Sequence, residues 1–173
     1  NASKDWTFQF SKGTDTIKFI QKSEVPHDRV PTYGKFVCEL RPQKTEVERT
    51  RLTVGGNLID YPDRVHAPTA DVTTLKLHIN DVISTPRAKC VMWDVGNYYL
   101  NTPLPRPEFM RIRVDDIPKE IMDEYDLHKI AVDDWVYIKI QKGMYGLPQS
   151  GYLANKLLEE RLKPHGYYQT RHT

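Results

Sequence analysis

The acid Asp94 directly follows a short apolar run, residues 90–93, which has the length and composition of a buried strand. A carboxylate at the end of such a strand loses its hydration unless it meets a cation or backbone donors. Its position therefore indicates a metal ligand or a cap, and the plainer alternative is a solvated Asp. Tyr98 and Tyr99 come next. Because adjacent side chains cannot point the same way, we expect one tyrosine at a site and the other in the core.

Basic residues gather in a predicted hairpin. Strand patterns at 36–40 and 51–54 are joined by a polar loop in which Arg49 is one of several cations. Arg49 and Arg51 are two positions apart, so on an extended strand they share one face. The planar guanidinium fork suits phosphate because it binds oxygens in pairs. Composition alone favours a solvated hairpin.

Two glycine-containing segments invite functional interpretations. Residues 142–151 read Lys-Gly-Met-Tyr-Gly-Leu-Pro-Gln-Ser-Gly, which is typical of a strand, a turn and the start of a helix. The plain interpretation is a glycine-rich loop that caps a helix. The pair Gly55-Gly56 has neither the Walker nor the dinucleotide spacing, so it predicts a tight turn.

Three stretches together resemble one family. Residues 94–104, Asp-Val-Gly-Asn-Tyr-Tyr-Leu-Asn-Thr-Pro-Leu, resemble the first catalytic motif of reverse transcriptases, most closely those of copia-like LTR retrotransposons. Residues 142–151 resemble that family's motif for cradling the template base and the incoming nucleotide. Residues 41–44 and 49–57 are similar to its fingers hairpin. The resemblance covers most of the chain, from about residue 13 to residue 168.

The resemblance implies roles for individual residues. Asp94 and the backbone carbonyl of Val95 would be ligands of two Mg²⁺ ions. Tyr99 would lie under the sugar of the incoming nucleotide and exclude a 2′-hydroxyl group. The nucleotide-binding residues would be Arg49, Arg51, Tyr99, Tyr145, Gly146 and Gln149, with one or both arginines on the triphosphate.

A tempting second acidic motif is rejected. Asp133 and Asp134 loosely match the family's double-aspartate motif, but in such polymerases that motif follows the nucleotide-cradling segment, whereas here it precedes it. The two missing aspartates are expected beyond residue 173. Because two metal ions need more carboxylates than Asp94 supplies, we expect this chain alone to be inactive.

The predicted fold is α+β, a fingers and palm fragment with an antiparallel sheet covered by helices. Residues 1–22 would form an N-terminal extension with edge strands, 23–88 a fingers-like hairpin and helix, and 89–173 a partial palm. Strands are predicted at 8–10 and 17–19 about a turn at Gly13, and at 109–114 and 135–140, with a connector over 22–34. A helix over 69–84, capped by Thr69 or Asp71, is expected to pack one face on the sheet. A short helix over 115–125 and a leucine-striped helix at 153–162 beneath the sheet complete the predicted elements.

The expected function is that of an RNA-directed DNA polymerase fragment, in which a primer 3′-hydroxyl attacks the α-phosphate of a deoxynucleotide. One alternative is a non-enzymatic nucleic-acid-binding or assembly module derived from such a polymerase. Another is a plain structural domain with chance motif matches. Convergence of Asp94, Tyr99, Arg51 and Gly146 on one cleft would separate polymerase ancestry from chance.

Composition limits the partners and the compartment. The 173 residues carry a net charge of +2, which is too mild to indicate nucleic-acid binding by itself. Cys38 and Cys90 lie on apolar runs and are expected to be buried thiols in a reducing compartment. No apolar run has membrane-spanning length. We therefore expect an intracellular protein, cytoplasmic or nuclear, whose partners are an RNA or DNA template, a primer, deoxynucleotides and the rest of a polyprotein, with no membrane.

Overall fold

Five segments with a strand pattern pair into one sheet. The computed structural model describes residues 14–45, 47–67 and 69–169 of the chain. Within these ranges the sheet has the order β1–β5–β4–β2–β3 and is accompanied by three α-helices, so the fold is of the predicted mixed α and β kind. The strands are β1 (Ile17–Ile20), β2 (Thr32–Leu40), β3 (Glu48–Val54), β4 (Pro103–Arg113) and β5 (Trp135–Lys142). The helices are α1 (Val72–Ser84), α2 (Lys119–Glu124) and α3 (Ser150–Leu162), with short 3-10 turns at Lys22–Glu24, Gly56–Leu58, Val114–Asp116, Leu127–Lys129 and Lys163–His165.

The sheet is mixed, whereas the sequence predicts an antiparallel one. β1 with β5, β5 with β4 and β2 with β3 are antiparallel pairs, but β2 runs parallel to β4 through Thr32 opposite Met110 and Tyr33 opposite Arg111. Parallel neighbours need a long crossover connection, and the segment from β3 through α1 supplies it. Local alternation predicts a strand but carries no information about the direction of its neighbour.

The first strand pairs with the last strand of the sheet along the sequence. β1 confirms the strand predicted at 17–19, and its partner is β5, with Ile17 opposite Ile140. The predicted strand at 8–10 and the turn at Gly13 lie outside the described residues. The predicted connector over 22–34 ends earlier than expected because Thr32 is buried and already begins β2.

The main core lies on one face of the sheet. Fully buried residues of β4 and β5, such as Met110, Ile112 and Ile138, meet Ile121 of α2. The remaining buried members of this cluster are Leu52, Val54, Ile117, Met122, Leu127, Val136, Ile140, Met144 and Leu147. A smaller cluster of Ile20, Phe109 and Tyr137 is formed by side chains that alternate with these along the strands. The second face of the central strands is therefore covered in part, since Arg111 on that face is exposed.

Helix α1 forms but does not pack as predicted. Of its two candidate caps Asp71 is used, since its Oδ1 accepts a hydrogen bond of 2.6 Å from the amide of Thr74. None of its thirteen residues, all of which the structure describes, is buried, and Leu75 and Ile83 are 50% and 78% exposed. The predicted packing of this helix on the sheet is wrong. A helical period shows which face of a helix is apolar but not whether another surface covers it, and the core face of the sheet is occupied by α2.

The predicted buried strand at 90–93 is also wrong. These residues adopt no strand pairing, and Val91 and Met92 are 74% and 85% exposed. Backbone amides and carbonyls of a strand need a neighbour, and no described strand pairs with this run. Cys90 is consequently exposed rather than buried, and so is Cys38, which lies where β2 has left β4 and pairs with β3 alone.

The remaining helices follow the predictions in position. α2 begins after Pro118, and α3 is followed by a turn that ends at Gly166, whose φ of 82° suits glycine. The leucine stripe of α3 is only half-buried, while Ser150 and Ala154 are the buried residues of this helix. None of the leucines in this stripe belongs to either of the two core clusters described above. No helix in the described ranges is long and apolar enough to cross a membrane.

Candidate functional site

The β2–β3 ribbon (Thr32–Leu40 and Glu48–Val54) presents two arginines on one face. Thr50 and Leu52 are buried, whereas Arg49 and Arg51, which alternate with them along the strand, are half-exposed, as the two-residue spacing predicts. Arg49 lies opposite Glu39 in the strand register. The ribbon therefore carries its cations on the face turned away from Thr50 and Leu52.

A cavity of about 440 Å³, here called the edge cavity, is lined by residues of both edge strands. Its lining includes Thr16, Lys18, Arg49, Arg51, Asn97, Leu100, Tyr125 and Tyr145. Because β1 and β3 are the two ends of the strand order, their joint lining of one cavity means that the sheet curls until its edges face each other. The arginines and the segment after β5 thereby meet at one place.

Aromatic rings join the arginines to the turn after Asp94. The Arg51 guanidinium carbon lies 5.3 Å from the centroid of the Tyr145 ring, within cation–π range. Tyr99 meets Tyr145 edge-on at 5.3 Å, and Tyr98 lies 5.7 Å from Tyr99. Both Tyr98 and Tyr99 are half-exposed, so the expectation of one in the core is wrong. Partial burial raises the pKa of the Tyr98 hydroxyl, and neighbouring Tyr99 adds to that rise.

Glycines allow the loop after β5 to lie directly on β3. The amide of Val54 donates a 2.9 Å hydrogen bond to the carbonyl of Tyr145. Gly146 has a φ of 97°, and a Cβ atom there would overlap the backbone of Val54. A Cβ atom on Gly56 would likewise overlap the carbonyl of Gly146. This close backbone contact fixes Tyr145 beside Arg51.

The same loop is tied to the tyrosine turn. The Ser150 hydroxyl accepts a hydrogen bond from the Met144 amide and donates one to the Met144 carbonyl, both at 2.9 Å. Gly143 donates to the Thr102 carbonyl at 2.7 Å, and Thr102 in turn donates to the Tyr99 carbonyl at 2.9 Å. The backbone around Tyr99 and the loop that holds Tyr145 therefore form one hydrogen-bonded unit.

Gln149 belongs to a different, buried network. It is fully buried at the start of α3, and its side-chain amide donates to Glu108 at 3.3 Å. Glu108 is itself buried and pairs with Arg29, by a short hydrogen bond, and with Arg106 at 3.4 Å. Sequence reasoning missed Glu108, although an acid within the strand-forming run Pro-Glu-Phe-Met is an available signal.

The expected metal ligands do not assemble. Asp94 and Val95 are exposed in the unpaired segment and do not line the edge cavity. Within residues 14–45, 47–67 and 69–169, no three His, Cys, Asp or Glu side chains form a group that could hold a metal ion. A single exposed carboxylate does not fit the two-magnesium site that the resemblance implies.

The rejected acidic pair serves a turn. Asp133 and Asp134 have φ values of 52° and 63° and lie between Val132 and Trp135, which form an antiparallel bridge. Two successive positive φ values are typical of a tight hairpin turn. Asp133 also pairs with Lys22 at 3.3 Å.

The structure thus brings four of the predicted residues together, Arg49, Arg51, Tyr99 and Tyr145, with Gly146 supporting them from behind. It leaves Gln149 in the core network and Asp94 with Val95 on an exposed segment. The predicted convergence of Asp94, Tyr99, Arg51 and Gly146 on one cleft therefore fails for Asp94. Lys18 and Asn97 line the edge cavity without having been predicted. A scan against protein-family models finds no match, and searches of curated proteins and of solved structures find no similar protein.

Proposed function

We propose that this chain carries the nucleotide-binding part of an RNA-directed DNA polymerase, equivalent to the fingers and N-terminal palm of a copia-like LTR retrotransposon reverse transcriptase. One observation carries the proposal. Arg49, Arg51 and Tyr145 line a single cavity, and Tyr99 packs on Tyr145, although these residues come from three separate motifs.

The edge cavity has the chemistry that a deoxynucleoside triphosphate needs. Its volume of about 440 Å³ falls within the common range for small-ligand sites. Arg49 and Arg51 supply cationic forks for phosphate oxygens, and the tyrosines supply rings for a sugar and a base. Among the described residues the Arg51 Nε is buried and has no hydrogen-bond partner.

The reaction proposed for the polymerase is attack of a primer 3′-hydroxyl on the α-phosphate, which forms a phosphodiester and releases pyrophosphate. This chain's own residues bind and orient the nucleotide. Partners of the proposed enzyme are an RNA or DNA template, a primer and the rest of a polyprotein, in the cytoplasm or nucleus. Magnesium is the cofactor that the resemblance implies, and its ligand set is incomplete among the described residues.

A second candidate is a non-enzymatic nucleic-acid-binding module derived from such a polymerase. The placement of Asp94 favours it, because this carboxylate is exposed and lies outside the edge cavity. Such a module would keep the basic ribbon and lose the chemistry.

The test is a titration of the 173-residue chain with a fluorescent deoxyadenosine triphosphate, followed by competition with unlabelled dATP. Replacing both Arg49 and Arg51 with Ala should raise the Kd at least about tenfold, because charge-assisted hydrogen bonds to phosphate are lost. Arg113→Ala is the matched control, since Arg113 pairs with Asp115 on the surface.

Two outcomes oppose the proposal. If the double variant binds dATP as well as the unmodified chain does, the arginines are not the triphosphate ligands. If the unmodified chain binds single-stranded oligonucleotides but no dATP, the binding module is the correct description.

A further inference from the structure

Glu39 faces both arginines of the proposed nucleotide site. In the register of the β2–β3 ribbon it lies opposite Arg49, and its Oε2 is 3.6 Å from an Nη atom of Arg51. Residues that pair across antiparallel strands project from the same face. A carboxylate therefore stands beside the two cations that the proposed function assigns to phosphate.

The ion pair is loose. A separation of 3.6 Å is longer than a hydrogen bond, and half of the Glu39 side chain is exposed. The Tyr145 ring lies within cation–π range of the Arg51 guanidinium. Arg51 is thus held in place by the ring while Glu39 partly neutralises it, and its donors remain available to a stronger anion.

We propose that Glu39 is an intramolecular competitor for the phosphates of the incoming nucleotide. Binding would replace the Glu39 carboxylate on Arg51 with phosphate oxygens. Displacing the carboxylate lowers the affinity of every ligand that binds Arg51, and only a polyanion binds strongly enough to displace it. The inference rests on the proposed function and makes Glu39 a specificity-determining residue. Glu39 therefore weakens the binding of ligands that contact Arg51 and leaves the binding of an uncharged nucleoside unchanged.

A merely structural pair would behave differently. If Glu39 only supports the ribbon, its removal lowers stability and leaves ligand affinity unchanged or weaker. If Glu39 competes, its removal strengthens phosphate binding. The two roles therefore move the affinity in opposite directions.

The experiment compares Glu39→Gln with Glu48→Gln. Both remove one negative charge from the same ribbon, but Glu48 lies opposite Leu40 and projects from the other face. Binding of dATP, inorganic triphosphate and deoxyadenosine is measured by competition against the fluorescent nucleotide. For Glu39→Gln we expect Kd values about two- to fivefold lower for dATP and triphosphate, the scale of a partly exposed ion pair. Deoxyadenosine should bind as it does to the unmodified chain.

A double-variant cycle separates the competition by Glu39 from the proposed binding of nucleotide by the arginines. In an Arg51→Ala background, Glu39→Gln should give no gain, since the competition acts through Arg51. Equal gains from Glu39→Gln and Glu48→Gln, or no gain from Glu39→Gln while Arg51→Ala still weakens binding, would overturn the inference and leave the proposed function intact. If neither the unmodified chain nor Glu39→Gln binds any phosphate ligand, the proposed function itself falls.

Discussion

Tyr99 packs edge-on against Tyr145, which lines the edge cavity. If Tyr99 lies under the sugar as proposed, its ring excludes a 2′-hydroxyl. Tyr99→Val should then reduce the preference for dATP over ATP by about tenfold, the scale of one excluded group. The ratio of the two Kd values measures this, and Tyr99→Phe, which keeps the ring, should retain the preference. An unaltered ratio in Tyr99→Val would make Tyr99 a packing residue.

Glu108 is a buried acid that pairs with two arginines. The Arg29 side chain is 18% exposed and pairs with Glu108, which also pairs with Arg106. Glu108→Ala should lower the free energy of unfolding by about 1.5–3 kcal/mol, because the largely buried Arg29 loses a charge-assisted hydrogen bond.

Urea denaturation with an unchanged m value measures this loss. The control is Lys22→Ala, which removes the exposed pair with Asp133 and should cost at most about 1 kcal/mol. Similar small losses in both variants would show that Glu108 does not neutralise Arg29.

The spacing of Arg49 and Arg51 correctly predicted their common face, because a strand's period of two is a local property. The Glu108 network was not predicted. Its partners Arg29 and Gln149 are 79 and 41 positions away along the chain, and no local pattern joins residues at that range. Gln149 matched a motif, yet its side chain is committed to this network.

At the level of elements, the contact between β3 and the loop after β5 depends on glycine. Gly146→Ala combines a positive φ with overlap on the Val54 backbone. Strain of this kind alone costs about 1–3 kcal/mol, and the overlap adds to it. We expect a large loss of stability by urea denaturation.

Two other glycines separate these causes. Gly166 also has a positive φ, but a Cβ atom there would meet no other atom within 4 Å, so Gly166→Ala reports strain alone. Gly96 has neither feature and should tolerate Ala. If Gly146→Ala costs no more than Gly166→Ala, the backbones do not touch as described.

The positions of strands and helices proved more predictable than the strands and surfaces against which they pack. The strand and helix positions follow from local periodicity, as β3, β5 and α2 show. The run 90–93 and helix α1 have equally clear patterns but remain exposed. Burial needs a second surface, and which part of a chain supplies it is decided by the whole fold. The parallel β2–β4 pair was unpredictable for the same reason.

For the whole molecule we expect nucleotide binding without polymerisation. Asp94 is exposed, and the described ranges hold no group of three metal-binding side chains. With magnesium, a homopolymer template and its primer, the 173-residue chain should give no primer extension above background, while a retroviral reverse transcriptase in the same buffer serves as the control. Magnesium-dependent extension that Asp94→Asn abolishes would contradict this, and Asp133→Asn would then have to be tested as well.

The pairing of β1 with β5 also sets an order of assembly during synthesis. The β2–β3 ribbon is a local hairpin and can form as soon as it leaves the ribosome, but Ile17 must wait for Ile140. Until then the apolar residues Phe19 and Ile20 have no strand to pair with and are open to chaperones. The edge cavity needs both β1 and Tyr145, so it is completed only after β5 has docked. If the edge cavity binds nucleotide as proposed, a nascent chain can do so only after its sheet has closed.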